Sequence, residues 1–284
     1  MNKLFIIEGI PGSGKTTFAR MLGERLTSMN QEVHLYVEGD LHPADMAWCA
    51  CLTQEEYDTV CNQYPEHKED FERNKTIWND YVILAYIKVP SMSGELFSYF
   101  ESKELYDDRV NMELFCGIHQ SRWERFGKEA TGIQIFECAL LQNAVNEMLL
   151  FRGAEEEAIT KYIIKLIDAV KNLNPAILYL DVDVNTAIER AARERVDGDG
   201  NRVWENRVAE YIENSPYGKK NGLKGIEGMY QYFRERKQLE KRILEKLPVI
   251  KYTIPIMVEQ QSGITNEFIQ NLCNEITTCG FLGE

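Results

Sequence analysis

Positive charge is in short supply in this chain. Lys and Arg total 32 of 284 residues against 45 Asp and Glu, for a formal net charge of −13. A surface that acidic repels a nucleic-acid backbone, so no nucleic-acid partner is expected, and any anionic ligand needs a local nest of donors. Long apolar runs are missing as well. None approaches the roughly 20 residues of a membrane span, so no membrane partner is expected either. With the first strand expected from Lys3, no signal peptide is expected before it, and the chain reads as soluble and cytoplasmic. Prolines number only 8, no repeat or low-complexity linker occurs, and 44% of residues are hydrophobic, which argues against any long disordered stretch. The 7 cysteines (Cys49, Cys51, Cys61, Cys116, Cys138, Cys273 and Cys279) are scattered and odd in number. They lack paired metal-ligand spacing, so reduced and mostly buried thiols are expected.

What is present is an alternation of strands and helices. Lys3–Glu8 is an apolar run of the kind buried on both faces of a sheet, and Thr16–Thr27 follows with helical periodicity. Glu32–Val37, Ile133–Glu137, Ala176–Asp181 and Pro248–Thr253 read as further strands. Helices are expected over Ala139–Phe151, Glu155–Asn172, Asn185–Val196, Asn206–Asn214, Ile226–Leu247 and Thr265–Thr278. The pattern changes from Leu41 to about Thr131, which is rich in Trp, Tyr, Phe and charge. Helical pieces are expected there at Pro43–Cys51, Gln54–Gln63, Phe71–Ile87, Gly94–Ser102 and Asn111–Lys128. Strands separated by helices imply a parallel α/β sheet, with a ligand beyond the carboxyl ends of its strands. Glu8, Glu38, Glu137 and Asp181 fall at or just after those ends. One domain spanning 1–284 is expected, with a large helical insert over about 41–131.

The strongest local signal is Gly9-Ile10-Pro11-Gly12-Ser13-Gly14-Lys15-Thr16, which fits G-x-x-x-x-G-K-[ST] without a gap. It also has the required context, a buried strand before and a helix after. Such glycines let successive backbone N–H groups turn inward onto phosphate oxygens, and the helix N-terminus adds partial positive charge there. Gly9, Pro11, Gly12, Ser13, Gly14, Lys15, Thr16 and Thr17 are therefore the candidate ATP-binding residues. Lys15 would neutralise the β- and γ-phosphates, and the Thr16 hydroxyl would ligate Mg²⁺. Asp197-x-x-Gly200 is no GTPase switch, since it does not follow the third strand and no N-K-x-D occurs.

With this loop, this order of strands and a later arginine-rich helix, the chain resembles the P-loop kinases of nucleotides, nucleosides and small metabolites, the thymidylate-kinase-like group. The resemblance covers most of the sheet scaffold and little of Leu41–Thr131. It implies a three-layer P-loop NTPase fold with a five-stranded parallel sheet, and an ATP- and Mg²⁺-dependent transfer to a small-molecule acceptor. In that family an acid after the second strand prepares the acceptor hydroxyl. Here that position holds Glu38-Gly39-Asp40-Leu41-His42-Pro43. The segment is similar to the D-G-D run of gluconate and adenylylsulfate kinases, while the later Trp48 resembles the acid-then-tryptophan spacing of deoxynucleoside kinases. Glu38 and Asp40 are the catalytic candidates. Asp40 reads equally as a helix N-cap, and His42 equally as a packed or capping residue.

The family's acid after the third strand, which holds Mg²⁺ through water, corresponds to Glu137. The arginine that often follows is replaced by Cys138-Ala139, and Gln142 and Asn143 are left as residues able to reach the acceptor or to face solvent. After the fourth strand the family carries an arginine-bearing lid that closes over the phosphates. Arg190 and Arg193 share a helical face and are the lid candidates within about 185–215, whereas Arg195 is expected to point elsewhere. The Asp197–Gly200 turn would be the lid's tip. Arg234–Arg242 reads as a solvated charged face. The aromatics Trp48, Trp78, Tyr81, Trp123 and Phe126 read as helical core that could also wall a pocket for a flat acceptor, with Arg122 and Arg125 as candidates for an anionic group. The acceptor is expected between the sheet and the insert. A nucleoside or nucleoside monophosphate leads, a sugar acid or other polar metabolite is the alternative, and a nucleotide-hydrolysing switch is the non-kinase reading. Oligomeric state is left open, a homodimer included.

Overall fold

The structure is a computed structural model that describes residues 3–256. The helix expected at Thr265–Thr278, with Cys273 and Cys279, lies outside the described residues. The strands are β1 Leu4–Glu8, β2 Val33–Tyr36, β3 Cys49–Thr53, β4 Lys75–Trp78, β5 Tyr81–Ala85, β6 Ile133–Glu137, β7 Pro175–Asp181 and β8 Ile250–Pro255. The helices are α1 Lys15–Ser28, α2 Gln54–Gln63, α3 Lys68–Asn74, α4 Gly94–Ser102, α5 Met112–Glu129, α6 Gln142–Asn146, α7 Glu156–Ala169, α8 Val184–Glu194, α9 Val203–Asn214, α10 Pro216–Asn221 and α11 Gly225–Lys246. The chain divides into two compact units. One takes the chain up to Glu38 and from Phe126 onward; the other is Gly39–Arg125.

The first unit is an α/β, three-layer P-loop NTPase fold. Five strands form a parallel sheet in the order β2-β6-β1-β7-β8, flanked by helices. The order follows from burial. Every residue of β1 and β6 is buried, as strands covered on both faces require, whereas β8, at an edge, buries only Ile254. In the β1 register Ile7 lies opposite Glu137 and Glu8 opposite Tyr179, so β1 and β6 end within a residue of each other and β7 runs two residues further, to Asp181. Helix α1 packs on β1, β2 and β6 through a stripe that includes Phe18, Ala19, Leu22 and Leu26.

Two departures from the sequence expectation belong to this unit. The expected helix Ala139–Phe151 begins only at Gln142 and widens into a π-helical turn at Glu147–Phe151. The solvated reading of Arg234–Arg242 fails at two residues. Arg236 and Glu240 are 2% and 0% exposed and pair at 2.7 Å, and the Tyr179 hydroxyl donates to Glu240 at 2.7 Å. Their i,i+4 spacing places them on the same inward stripe of α11 as Met229, Tyr232, Phe233 and Ile243.

The second unit is not purely helical. It carries a three-stranded antiparallel sheet in the order β3-β5-β4 as well as α2, α3 and α4. The helix expected at Pro43–Cys51 gives way to β3, four of whose five residues are buried. The one expected at Phe71–Ile87 is α3 followed by the β4–β5 hairpin, which turns at Asn79-Asp80 between the paired Trp78 and Tyr81. Asn79 sits there at φ 49°, a conformation Asn tolerates better than most residues. Helices at Gln54–Gln63 and Gly94–Ser102 form as expected, the first with a capping box from Thr53 and Glu56. The core gathers Leu52, Tyr57, Phe71, Leu84, Tyr86 and Phe100, with the Phe71 and Phe100 rings edge to face at 5.6 Å.

Candidate functional site

At the carboxyl end of β1 the chain turns through Gly9–Gly14 into α1. Gly12 and Gly14 take φ of 75° and 93°, the left-handed region that glycine occupies without penalty. Gly12 is held there by a close approach as well. A Cβ at this position would lie 1.9 Å from the Ala187 carbonyl oxygen, so the loop presses against the backbone of α8. Lys15 is 5% exposed and its Nζ donates back to the carbonyls of Gly9 (2.9 Å) and Ile10 (3.2 Å). Ser13 is fully buried, and its Oγ has no partner among the described residues. Pro11 is half-buried on the loop, and Thr17 is exposed in the first turn of α1.

A cavity of ≈ 300 Å³ opens over this loop. Gly12, Gly14, Lys15, Thr16 and Thr17 line it, with Glu38, Glu137, Arg190, Glu194 and Arg195. Two of its acids are joined by hydrogen bonds. The Thr16 hydroxyl donates to Glu137 Oε1 at 2.7 Å, and the Glu38 backbone N–H donates to Glu137 Oε2 at 3.2 Å. Gln142 Nε2 donates to Glu38 Oε1 at 3.2 Å. The ends of β1, β2 and β6 therefore converge on one polar cluster. Asp40 belongs to the second unit, which begins at Gly39.

Helix α8 starts on Asp183, whose carboxylate accepts from the Thr186 N–H at 2.9 Å, and buries Ala187, Ile188, Ala191 and Ala192. That packing aims Arg190 into the cavity, half-buried, with a buried Nη2 that has no partner among the described residues. Burial pushes its guanidinium below the ordinary value, and Glu194 opposes the shift. Arg193 is turned away: it is 72% exposed and pairs with Glu189 at 2.8 Å. Arg195 lines the cavity instead. The helical-face argument does not reach it, because α8 ends at Glu194 and Arg195 leaves the helical conformation.

The residues present fit a polyphosphate with a divalent cation. Among the described residues the donors on Ser13 Oγ and Arg190 Nη2 have no partner, as suits an anion-binding site, and Lys15 donates to loop carbonyls. The Thr16 hydroxyl and the Glu137 carboxylate, already paired, supply hard oxygen ligands of the kind Mg²⁺ takes. Among the described residues no cluster of three His, Cys, Asp or Glu forms a self-sufficient metal site.

Glu8 is the residue that the sequence reading left without a role. It is fully buried, and its carboxylate accepts from the N–H groups of Leu140 (2.8 Å), Leu141 (2.9 Å) and Gln142 (3.1 Å). Burial pushes its carboxyl up to about 7, against the lowering effect of these bonds, and the nearby Glu240 carboxylate adds to the rise. The signal available in the sequence was an acid closing a strand otherwise apolar throughout. Such an acid needs buried donors.

In the second unit, His42 Nδ1 accepts from the N–H groups of Ala44 (3.1 Å) and Asp45 (2.7 Å), which is the local capping arrangement. Burial holds its imidazole well below the ordinary value, with Arg122 and His119 adding to the effect. Arg122 is buried and donates to the His42 carbonyl at 2.8 Å, whereas Arg125 is exposed. Trp123 is fully buried, its indole N–H on His119 Nε2 at 2.9 Å. Among the described residues Cys49, Cys51, Cys61 and Cys138 are free and buried, and Cys116 is partly exposed. No described helix is long and apolar enough to cross a membrane.

No protein-family model matches the chain, and no curated protein sequence matches it. Among solved structures the chain is similar to deoxyadenosine kinase from M. mycoides with bound dATP, at 15% identity over 97% of this chain and 100% of that one, with a TM-score of 0.36. It is similar to the same kinase with bound dCTP at 12% identity over 97% of this chain and 99% of that one, with a TM-score of 0.38.

Proposed function

We propose that the chain is an ATP-dependent phosphotransferase that moves the γ-phosphate to a hydroxyl of a small molecule, a nucleoside or nucleoside monophosphate in the leading reading. The observation that carries it is the cavity over the loop, where Lys15, Thr16 and Arg190 face Glu38 and Glu137. A kinase uses a second carboxylate beside the phosphate nest to orient its acceptor hydroxyl; in a hydrolase the same group would orient water, and the acceptor assay separates the two. The chain is read as one kinase-like domain over 1–284, with the insert at about 41–131, a lid at about 185–215, and a cytoplasmic location.

In this reading Gly12, Gly14 and Thr17 shape the nest, and Lys15 exchanges its loop carbonyls for β- and γ-phosphate oxygens. Thr16 and Glu137 would hold Mg²⁺, which neutralises phosphate charge when bound. Glu38, with Asp40 two residues on in the chain, orients the acceptor hydroxyl and takes its proton. The acceptor oxygen bonds to the γ-phosphorus as the β–γ bridge breaks, and the electron pair leaves on ADP. Arg190 stabilises the charge that develops on the transferred group. The acid-then-Trp48 spacing supports the nucleoside reading. The cavity's lining supports a second one, a sugar acid or other polar metabolite, because it holds charged residues and no aromatic ring.

The test is an ADP-release assay with Mg²⁺–ATP against a panel of nucleosides, nucleotides and polar metabolites. Acceptor-stimulated turnover is expected, with at least a ~100-fold loss in Lys15→Ala, since several charge-assisted phosphate contacts of about 1.5–3 kcal/mol depend on that loop. Turnover that ignores every acceptor but still requires Lys15 would favour the hydrolytic switch.

A further inference from the structure

Gln142 is 8% exposed, yet its carboxamide is only half used. Nε2 donates to Glu38 Oε1, while Oε1 is buried and has no partner among the described residues. An amide oxygen left unpaired in the interior is a cost that an apolar side chain of similar volume would avoid. The side chain is also held in place with some care. Its backbone N–H is bonded to Glu8, as are those of Leu140 and Leu141 just before it, so the segment that carries Gln142 is fixed to the end of the central strand. The result is one amide with its donor on Glu38, a residue that lines the cavity, and its acceptor unfilled among the described residues.

We propose, on the strength of the phosphotransferase reading above, that Gln142 positions Glu38 through Nε2 and that its Oε1 takes a hydrogen bond from the acceptor. Oε1 and Nε2 sit on one carbon, so a donor bound to Oε1 lies within roughly 8 Å of the Glu38 carboxylate, two hydrogen-bond lengths plus the width of the amide. The acceptor class this selects is a molecule with a second hydroxyl or an amino group close to the hydroxyl that is phosphorylated, as in a sugar or polyol moiety. A mono-ol that lacks the second donor leaves Oε1 buried and unpaired and is disfavoured. Substrate binding then involves a small rotation of the amide toward the cavity, with Glu38 still in reach of Nε2.

The experiment compares the intact wild-type chain with Gln142→Met and Gln142→Glu. Each is assayed with the best acceptor found in the panel and with the analogue of that acceptor lacking the neighbouring donor group. Melting temperature and Kd for a fluorescent ATP analogue report folding and nucleotide binding. The expectation for wild type is about ten-fold or greater preference in kcat/KM for the acceptor that has the donor. Gln142→Met should lose about ten-fold or more in kcat/KM with a raised acceptor KM, and should no longer distinguish the two acceptors, while ATP-analogue affinity stays within about two-fold. Gln142→Glu keeps an acceptor oxygen but sets a carboxylate against Glu38, so it should lower kcat while retaining part of the preference. If wild type responds to acceptors and Gln142→Met keeps both rate and preference, the assignment of Gln142 is wrong and the kinase reading stands. If the variants lose rate and ATP-analogue binding together, the role is structural and the assignment is overturned. If no acceptor stimulates the wild type, both readings fall.

Discussion

The Glu8 carboxyl, buried between the phosphate loop and the segment after β6, makes stability depend on pH in a definite direction. Folding raises its pKa from 4.5 to about 7, so at intermediate pH the folded chain holds a proton that the unfolded chain has released. The stability this contributes is fully present below about 4.5 and is lost as pH rises through 7, an integrated loss of about 3 kcal/mol at 1.36 kcal/mol per unit. Glu8→Gln removes the titration. Urea unfolding of the two proteins at several pH values between 5 and 8 should give a wild-type curve that falls by about 3 kcal/mol relative to the variant. Parallel curves would mean that Glu8 is not the group responsible. The variant also turns an amide NH₂ toward an N–H that the carboxylate had accepted. At least one of the three bonds to Leu140, Leu141 and Gln142 is lost, at about 1 kcal/mol or more. Its absolute stability at pH 5 should therefore be lower, not higher.

Two helices show what a sequence discloses about an element and what it conceals. In α8 the spacing of Arg190 and Arg193 read as one helical face, but the buried Ala187, Ile188, Ala191 and Ala192 fix the rotation of the helix and separate its arginines. Arg190→Ala should lower kcat by about ten-fold or more, consistent with loss of a charge-stabilising contact. Arg193→Ala removes an exposed pair with Glu189 worth about 0.5 kcal/mol and should leave kinetics and melting nearly unchanged. Equal effects in steady-state assays would contradict this division. In α11 the buried Arg236–Glu240 pair makes a separate prediction. Glu240→Ala leaves a buried guanidinium without its carboxylate and should cost about 3–5 kcal/mol, whereas Arg236→Met with Glu240→Leu should recover most of it in thermal unfolding. Strands β1, β6 and β7 and the phosphate loop were legible because runs buried on both faces and the glycine spacing leave an unmistakable local imprint. The rotation of α11 was not, because charge density hides an inward stripe. The β4–β5 hairpin was missed for a related reason: Phe71–Ile87 is apolar enough to mimic a helix. The Asn79-Asp80 pair between Trp78 and Tyr81 was the turn signal that could have divided it. That Glu38 and Glu137 lie beside the phosphate loop was legible from their places after strands; Gln142 was named in the sequence without its contact, because its bond to Glu38 and the clamp by Glu8 join residues more than a hundred apart.

At the scale of the whole chain, the first unit is interrupted between Glu38 and Phe126, and each unit has its own buried core. Phe100 is fully buried in the second and touches Phe71, Tyr86 and Tyr99 ring to ring. Truncating it to alanine removes a large aromatic and leaves a cavity, at about 3–5 kcal/mol. The cavity over the phosphate loop, by contrast, is built from residues of the first unit alone. If the units unfold separately, Phe100→Ala should raise amide hydrogen exchange through β3, β5 and α4, leave β1, β6 and β7 protected, and keep Lys15-dependent binding of an ATP analogue within about two-fold. Acceptor-stimulated turnover would then report whether the second unit takes part in the reaction: its loss with nucleotide binding intact would give the insert a role in acceptor use. Exchange that rises to the same extent in β1 and β5, with nucleotide affinity falling alongside, would instead make the chain one cooperative unit whose nucleotide site depends on the insert's core.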